Sequence, residues 1–494
     1  MSEKIDSPDI NYLLSKFGFD STHCFIGGVW RPASGGETLV LENPSTASKL
    51  CSIARGTQAD IDMAVEAAHT ALKTGWGRST ALERGRVLSR LGQLVLAHLS
   101  DLALLEALDV GKPLKQARTD AIALGRYCEF YAGAADKIHG ETLPYLEGYT
   151  AYTLREPHGV TGHIVPWNYP MQIIGRSIGA ALAMGNACVL KPAEEACLTA
   201  LAFAELASRA GLPAGALNVV PGLGSEAGSA LSAHKQVQHI SFTGSVETGA
   251  SVQASAAQSV VPVTLELGGK SAQLVFDDAN LDAALPFLVN AGIQNAGQTC
   301  SASSRLLVQR RAYQSVLERL IDRYSNLQVG NALHDLDVGP LISKRQKDIV
   351  EDYIHTGGDL EKVAAGELHE DAGTGHFIVP TLFAGVPPHH VLAQEEVFGP
   401  VQVVIPFDDE DEALAIANGT AYGLVASVWT NEGARQFRLA KALRAGQVFI
   451  NNYGAGGGVE LPFGGVGKSG HGREKGFEAL YGFSTLKTVA VSHG

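Results

Sequence analysis

The chain has 494 residues, 45% of them hydrophobic and 18% charged, enough for two or three domains that each bury a core. Its 38 Lys+Arg against 51 Asp+Glu leave a net −13, which speaks against a nucleic-acid partner, since that calls for a basic face. The polar start, residues 1–6, has no apolar core of a signal peptide. The longest apolar stretch, residues 178–190, is broken by Asn186 and falls short of the ~20 residues that span a bilayer, so a cytoplasmic protein is expected.

In chain order, residues 141–155 alternate with Thr and Tyr and read as a strand with little core of its own. From about His158, strand-like and helix-like segments alternate. A short strand at 162–165 ends in Pro166-Trp167-Asn168, and a helix follows through Ala183. Strand 187–190 runs into Lys191-Pro192-Ala193-Glu194 and a helix over 194–210, stopped by Gly211 and Pro213. Strands at 217–220 and 239–242 follow; the second ends in Thr243-Gly244-Ser245 before a helix beginning near Glu247. Strand 261–267 carries Glu266 and Leu267. A second set of strands is expected at 272–276, 305–308, 401–407, 426–429 and 448–451. Repeated β-α units predict two doubly wound α/β domains with a cleft between them, and ligands then belong beyond the carboxyl ends of the strands. Residues 483–492 alternate like 141–155; together they read either as a surface hairpin and frayed tail or as an arm that pairs with another subunit.

The six cysteines, at 24, 51, 128, 188, 197 and 300, show no CxxC and no metal-ligand spacing, so no metal is expected. Most cysteines are small buried hydrophobes. Cys300 stands apart, because its neighbours Gln298, Thr299, Ser301, Ser303 and Ser304 are polar and do not read as core. A reachable, ionisable thiol is a nucleophile. Glu266, before the turn glycines Gly268 and Gly269, can act as a base once desolvation raises its pKa, or can be a solvated turn residue. Asn168 can hold an oxyanion together with the Cys300 N–H, or simply form an Asx turn. Lys191 and Glu194 can donate to and accept from ribose hydroxyls, and Glu194 would repel a 2′-phosphate, favouring NAD over NADP. Glu194 can equally complement a helix dipole. Gly244 and Ser245 open a helix after a strand, as a phosphate site requires. Gly467-Lys468-Ser469 and Gly269-Lys270-Ser271 resemble a P-loop end but lack its first glycine, which disfavours an ATPase.

Seven motifs in order carry a family resemblance: Pro166 to Pro170, Lys191 to Glu194, Phe242 to Ser245, Leu265 to Lys270, Gly297 to Cys300, Glu395 to Pro400 and Pro462 to Gly465. Over nearly its whole length the chain resembles the NAD(P)-dependent aldehyde dehydrogenase superfamily. The resemblance implies a cofactor domain (1–138 and 158–265), a catalytic domain (266–470) and a bridging oligomerisation arm (139–157 and 483–494), in a homodimer or homotetramer. It implies that Cys300 adds to a small-molecule aldehyde, that Asn168 holds the oxyanion, that NAD takes a hydride, and that Glu266 activates water to release the acid. It places Trp167 and Leu267 at the cofactor, Glu396 at the nicotinamide ribose and Phe398 beside that ring. Lys270 and Glu474 resemble charged residues near the cleft with a proton-relay role. Glu266 also argues against an acyl-CoA product, because CoA-acylating members lack it.

For the substrate channel, Tyr169, Arg176, Asp120 and Phe463 are the candidates. Arg176 resembles the position of benzaldehyde- and salicylaldehyde-type members, where a guanidinium would bind a phenolate or carboxylate, unless it faces an interface or solvent. Residues 298–302 resemble the aminoaldehyde group, yet the anionic cage around Asp120 is incomplete. Residues 454–458 would leave the channel mouth open. An aromatic or acidic aldehyde is expected; a betaine-type or other aminoaldehyde dehydrogenase, or an esterase using the same thiol, is the alternative.

Overall fold

Short apolar strands punctuated by Gly, Pro and Asn pair in parallel here, each followed by a segment that covers a sheet face. The computed structural model describes residues 9–370, 372–454 and 458–494. The start of the chain and most of the expected channel mouth, residues 455–457, lie outside the described residues. The first sheet has eight strands in the order Val29–Pro32, His23–Ile26, Leu217–Val219, Ala187–Pro192, Val160–Val165, His239–Thr243, Val263–Glu266 and Gly470–His471. The five from Leu217–Val219 to Val263–Glu266 are parallel. The chain winds outward in both directions from Val160–Val165, so the order reverses between that strand and His239–Thr243. A crevice opens at such a switch point, and Pro166-Trp167-Asn168 and Gly244-Ser245 leave from its two sides.

The second sheet has seven strands: Glu361–Ala365, Thr381–Ala384, Val401–Phe407, Arg305–Gln309, Ala272–Val275, Val425–Trp429 and Gln447–Ile450. All its pairs are parallel except the first. Each sheet is packed into its own large apolar cluster. The expectation that every motif lies beyond a strand's carboxyl end holds for the first sheet only. Gly268 to Lys270, Cys300 and Glu396 all precede second-sheet strands and therefore stand at amino ends.

The helix after Asn168, Pro170–Met184, is buried at all 15 of its positions, which explains its nearly unbroken apolar sequence. Proline opens it at a position where no N–H is needed. The helix expected from residue 194 begins only at Leu198, so Glu194 sits in the preceding turn and not on a helix end. Ser484–Ser492 pairs antiparallel with Tyr149–Pro157 along nine residues, and Thr142–Leu143 adds a third strand. Leu154, Leu486 and Val491 remain exposed on this small sheet. Among the described residues no single helix is long and apolar enough to cross a membrane.

Candidate active site

A cavity of about 710 Å³ lies where the loops of the two sheets meet. Among its lining residues are Trp167, Asn168, Tyr169, Arg176, Gly244, Ser245, Glu266, Cys300, Glu396, Phe398 and Phe463. Residues scattered over some three hundred positions of sequence thus share one wall.

The turn that carries Cys300 is held in an unusual backbone. Asn295 (φ 49°), Ala296 (φ 54°) and Gly297 (φ 73°) form a left-handed run, a conformation that costs energy for the two non-glycine residues. A Cβ on Gly297 would come within 2.1 Å of the Gly399 carbonyl oxygen, and one on Gly269 within 2.2 Å of that of Cys300. These two glycines let three loops close on each other. The polar neighbours of Cys300 are mostly buried, contrary to expectation: Gln298, Thr299, Ser303 and Ser304 are all inside. For Gln298 the reason is bonding. Its amide donates to the Asn295 carbonyl at 3.0 Å and accepts from the Ile342 N–H at 2.9 Å, so burial leaves it satisfied.

Asn168 Nδ2 donates to the Gln298 carbonyl at 3.0 Å, which fixes the amide beside the Cys300 turn. Cys300 is partly exposed as a residue, but burial pushes its thiol pKa up to about 12; the Arg176 charge opposes this, and Glu396 and Glu266 add to it. Glu266 is 1% exposed, and neither carboxylate oxygen has a hydrogen-bond partner among the described residues. Burial holds its pKa well above the usual range, against the pull of Arg176. A desolvated carboxyl of this kind is suited to take a proton from water near neutral pH.

Arg176 faces neither solvent nor a surface. It is 5% exposed; its Nε is ion-paired with Glu474, its Nη2 donates to Thr243 at 3.2 Å, and its guanidinium lies 5.0 Å from the Phe463 ring centroid. Burial is the largest influence and pulls its pKa down, but Glu474, Glu266, Cys300 and Tyr127 together more than offset it and the net shift is upward. Glu474 does not line the cavity; it accepts from Ser241 at 2.6 Å.

Two further channel or relay candidates also lie outside the cavity lining. Asp120 does not line this cavity. Its carboxylate is taken by Lys112 and by Gln172 Nε2 at 2.6 Å, because a buried carboxylate needs such partners. Lys270 is also outside the cavity lining and 2% exposed; burial lowers its pKa to about 7, reinforced by Arg305.

Along the cofactor side, Lys191 and Glu194 are paired at 2.8 Å, outside the lining of this cavity. Ser245 caps helix Val246–Ala257 through the Thr248 N–H. Leu267 is buried and packs under Gly249. Glu396 accepts from the Gly269 N–H at 2.9 Å, and burial raises its pKa to about 7. Trp167 and Phe398 meet edge-on at 5.4 Å, with Phe398 itself left-handed at φ 54°.

A lysine absent from the sequence-based candidates completes the wall. Lys475 lines the cavity, is 1% exposed, and follows Glu474 directly. A cation at the end of Arg473-Glu474-Lys475 is visible in the sequence, but nothing there tells which of the three side chains turns inward.

The aldehyde dehydrogenase family model matches residues 30–489. The chain belongs to the aldehyde dehydrogenase family. A hydroxyisobutyraldehyde dehydrogenase of Mycolicibacterium austroafricanum is 41% identical over 95% of this chain and 93% of its own. A solved Burkholderia cenocepacia structure assigned to the family is 61% identical, with a TM-score of 0.95 over 96% of this chain and 100% of that one. The NAD+ complex of a Bacillus cereus aldehyde dehydrogenase is 38% identical, with a TM-score of 0.95 over 99% of both chains. The two α/β sheets are thus those of an aldehyde dehydrogenase fold, and the protein is an enzyme of that family.

Proposed function

We propose that this aldehyde dehydrogenase uses NAD and water to oxidise an aromatic or acidic aldehyde to its carboxylic acid at Cys300. The observation that carries the reading is a single cavity lined by the Cys300 thiol, the Asn168 amide and the Glu266 carboxylate, which has no hydrogen-bond partner among the described residues.

The donor set fits the dinucleotide. Lys191 and Glu194 offer a donor and an acceptor to a ribose, and the Glu194 charge would repel a 2′-phosphate, favouring NAD over NADP. Gly244 and Ser245 stand at a helix N-terminus suited to phosphate. Leu267 packs beside that helix; Glu396 offers a carboxylate to the second ribose, and Trp167 and Phe398 frame the nicotinamide end. When bound, NAD supplies the hydride acceptor.

Cys300, once ionised, forms a C–S bond to the carbonyl carbon. Asn168 Nδ2–H and the Cys300 N–H hold the oxyanion, which stays fixed while hydride leaves and a thioester remains. Glu266 removes a proton from the water that attacks this thioester, and the acid departs as the Cys300 thiolate re-forms. The cation-bearing wall of Arg176 and Phe463, together with the withdrawal of Asp120 into an ion pair, favours an acidic or aromatic substrate over an aminoaldehyde. Tyr169 and Phe463 supply apolar surface for it. The exposed three-stranded sheet supports assembly into a dimer or tetramer, measurable by light scattering.

A kcat/KM panel of benzaldehydes, semialdehydes and aminoaldehydes, read as NADH absorbance, tests the substrate. A clear preference for aminoaldehydes would overturn it, and thiol-ester cleavage without any NADH would favour the esterase alternative.

A further inference from the structure

Lys475 is held in place by the fold at some conformational cost. Its φ is 61°, a left-handed conformation that a non-glycine residue keeps only when its surroundings impose it. They do so here. Phe463 and Glu474 exchange backbone hydrogen bonds of 2.7 and 2.8 Å, the Gly476 N–H donates to the Val459 carbonyl at 2.9 Å, and the Lys475 carbonyl accepts from Ala479 at 3.2 Å. The bridge sets Lys475 next to Phe463, and its Nζ lies 5.0 Å from that ring centroid. Arg176 lies at the same 5.0 Å from the same ring, and Cys300 packs against the small cluster that contains Phe463. Glu266 is close by: a Cβ on Gly464 would come within 2.8 Å of its Oε1.

The charges facing Lys475 come from four segments: Arg176 on helix Pro170–Met184, Glu266 at the end of Val263–Glu266, Cys300 on its turn, and Glu474 beside it. Arg176 is already ion-paired with Glu474. Its charge still favours ionisation of both the buried thiol and Glu266, and a second cation at the same wall adds to that effect. Lys475 is the second cation on the shared ring. Burial lowers its pKa to about 7, with Arg176 adding to this and Cys300, Glu266 and Glu474 opposing, so its charge can depend on whether Cys300 and Glu266 are ionised.

We propose that Lys475 is a positioning residue for the nucleophile: its ammonium, anchored over Phe463 at the cavity wall, stabilises the Cys300 thiolate electrostatically. The proposal rests on the reading of Cys300 as the nucleophile.

The test is the pH profile of Cys300 alkylation by iodoacetamide, on the full-length enzyme with saturating NAD. In Lys475→Met the midpoint moves up by about one pH unit and the rate at pH 7.5 falls about tenfold, while Lys475→Arg restores most of the rate. An unchanged profile in Lys475→Met overturns the proposal. So does an unchanged profile with kcat/KM lost only for carboxylate-bearing aldehydes, which would assign Lys475 to substrate binding. Should Lys475→Met not fold, the wild-type profile decides: a two-step rise marks thiol and ammonium titrating together, and a single step overturns the idea. Alkylation that persists in Cys300→Ala would instead overturn the choice of nucleophile.

Discussion

Two buried charge clusters flank the helix that follows Asn168, and each places a cation on an aromatic ring of the cavity wall. In one, Lys112 lies 3.7 Å from the Tyr169 ring centroid and is shared by Glu106, at 2.6 Å, and Asp120. In the other, Arg176 and Lys475 share the Phe463 ring, near Glu266 and Cys300. The first cluster is closed around its cation, with none of its three charged groups lining the cavity. The second opens into the cavity and keeps a carboxylate with no hydrogen-bond partner among the described residues. Closed charge supports a wall, whereas open charge is poised to react. Buried ions are costly unless paired, so the open cluster persists only where the surrounding fold holds it.

Breaking the open cluster should cost rate far more than stability. Cys300→Ala should lower aldehyde oxidation by at least about 10⁴-fold, as loss of a covalent nucleophile does, while calorimetric NAD binding and the melting temperature stay near wild type. Retained NADH production would remove Cys300 from the chemistry. Glu266→Gln should slow thioester hydrolysis by about 10²–10⁴-fold, the usual range for a general base, and the acyl-enzyme should accumulate in mass spectra. Its pH dependence has a definite sign. The Glu266 pKa is raised by burial, so the base is protonated at low pH and hydrolysis speeds up as pH rises through that value. Glu266→Gln should flatten this limb.

Breaking the closed cluster should do the reverse. Lys112→Met leaves Glu106 and Asp120 without their cation and should destabilise the fold by about 3–5 kcal/mol, read by denaturant melts, with kcat changed much less than by Glu266→Gln. A larger loss of kcat than of stability would erase the distinction between the clusters.

The smallest effect is expected within the first sheet, at a buried histidine of strand Val160–Val165. His163 is fully buried, and burial pushes its pKa down to about 3. Its unfolded value is near ~6.5. Below that pH the unfolded chain takes up a proton that the folded chain refuses, so stability falls as pH drops from 6.5 towards 3. His163→Leu should reduce that slope by at most about 1.4 kcal/mol per pH unit, measured as stability at pH 6 and pH 4. An unaltered slope would show that His163 does not report on the acid transition.

Much of the frame was legible in the sequence. The strands ending at Val165, Thr243 and Glu266 could be read from apolar runs closed by Pro, Gly or Asn, because those residues act locally on the backbone. Cys300, Glu266 and Asn168 stood out because a polar residue at a strand end or turn is chemically conspicuous. The fate of charged side chains was harder to read. Asp120, expected at the channel, is spent on Lys112, and Arg176, which does line the cavity, is at the same time ion-paired with Glu474. Such pairings join segments more than 290 residues apart in the case of Arg176, and no local pattern records them.

The sequence by itself determined the alternating β-α order, the family and the chemical types available at the cleft, since each rests on short segments whose propensities and motifs act locally. Only the tertiary structure decided that Cys300 and Glu396 stand at the amino ends of strands, that Gln298 is buried, and that Lys475 turns inward over Phe463. Those outcomes depend on which loops close against each other, on the glycines that permit the approach, and on the cost of burying a charge without a partner.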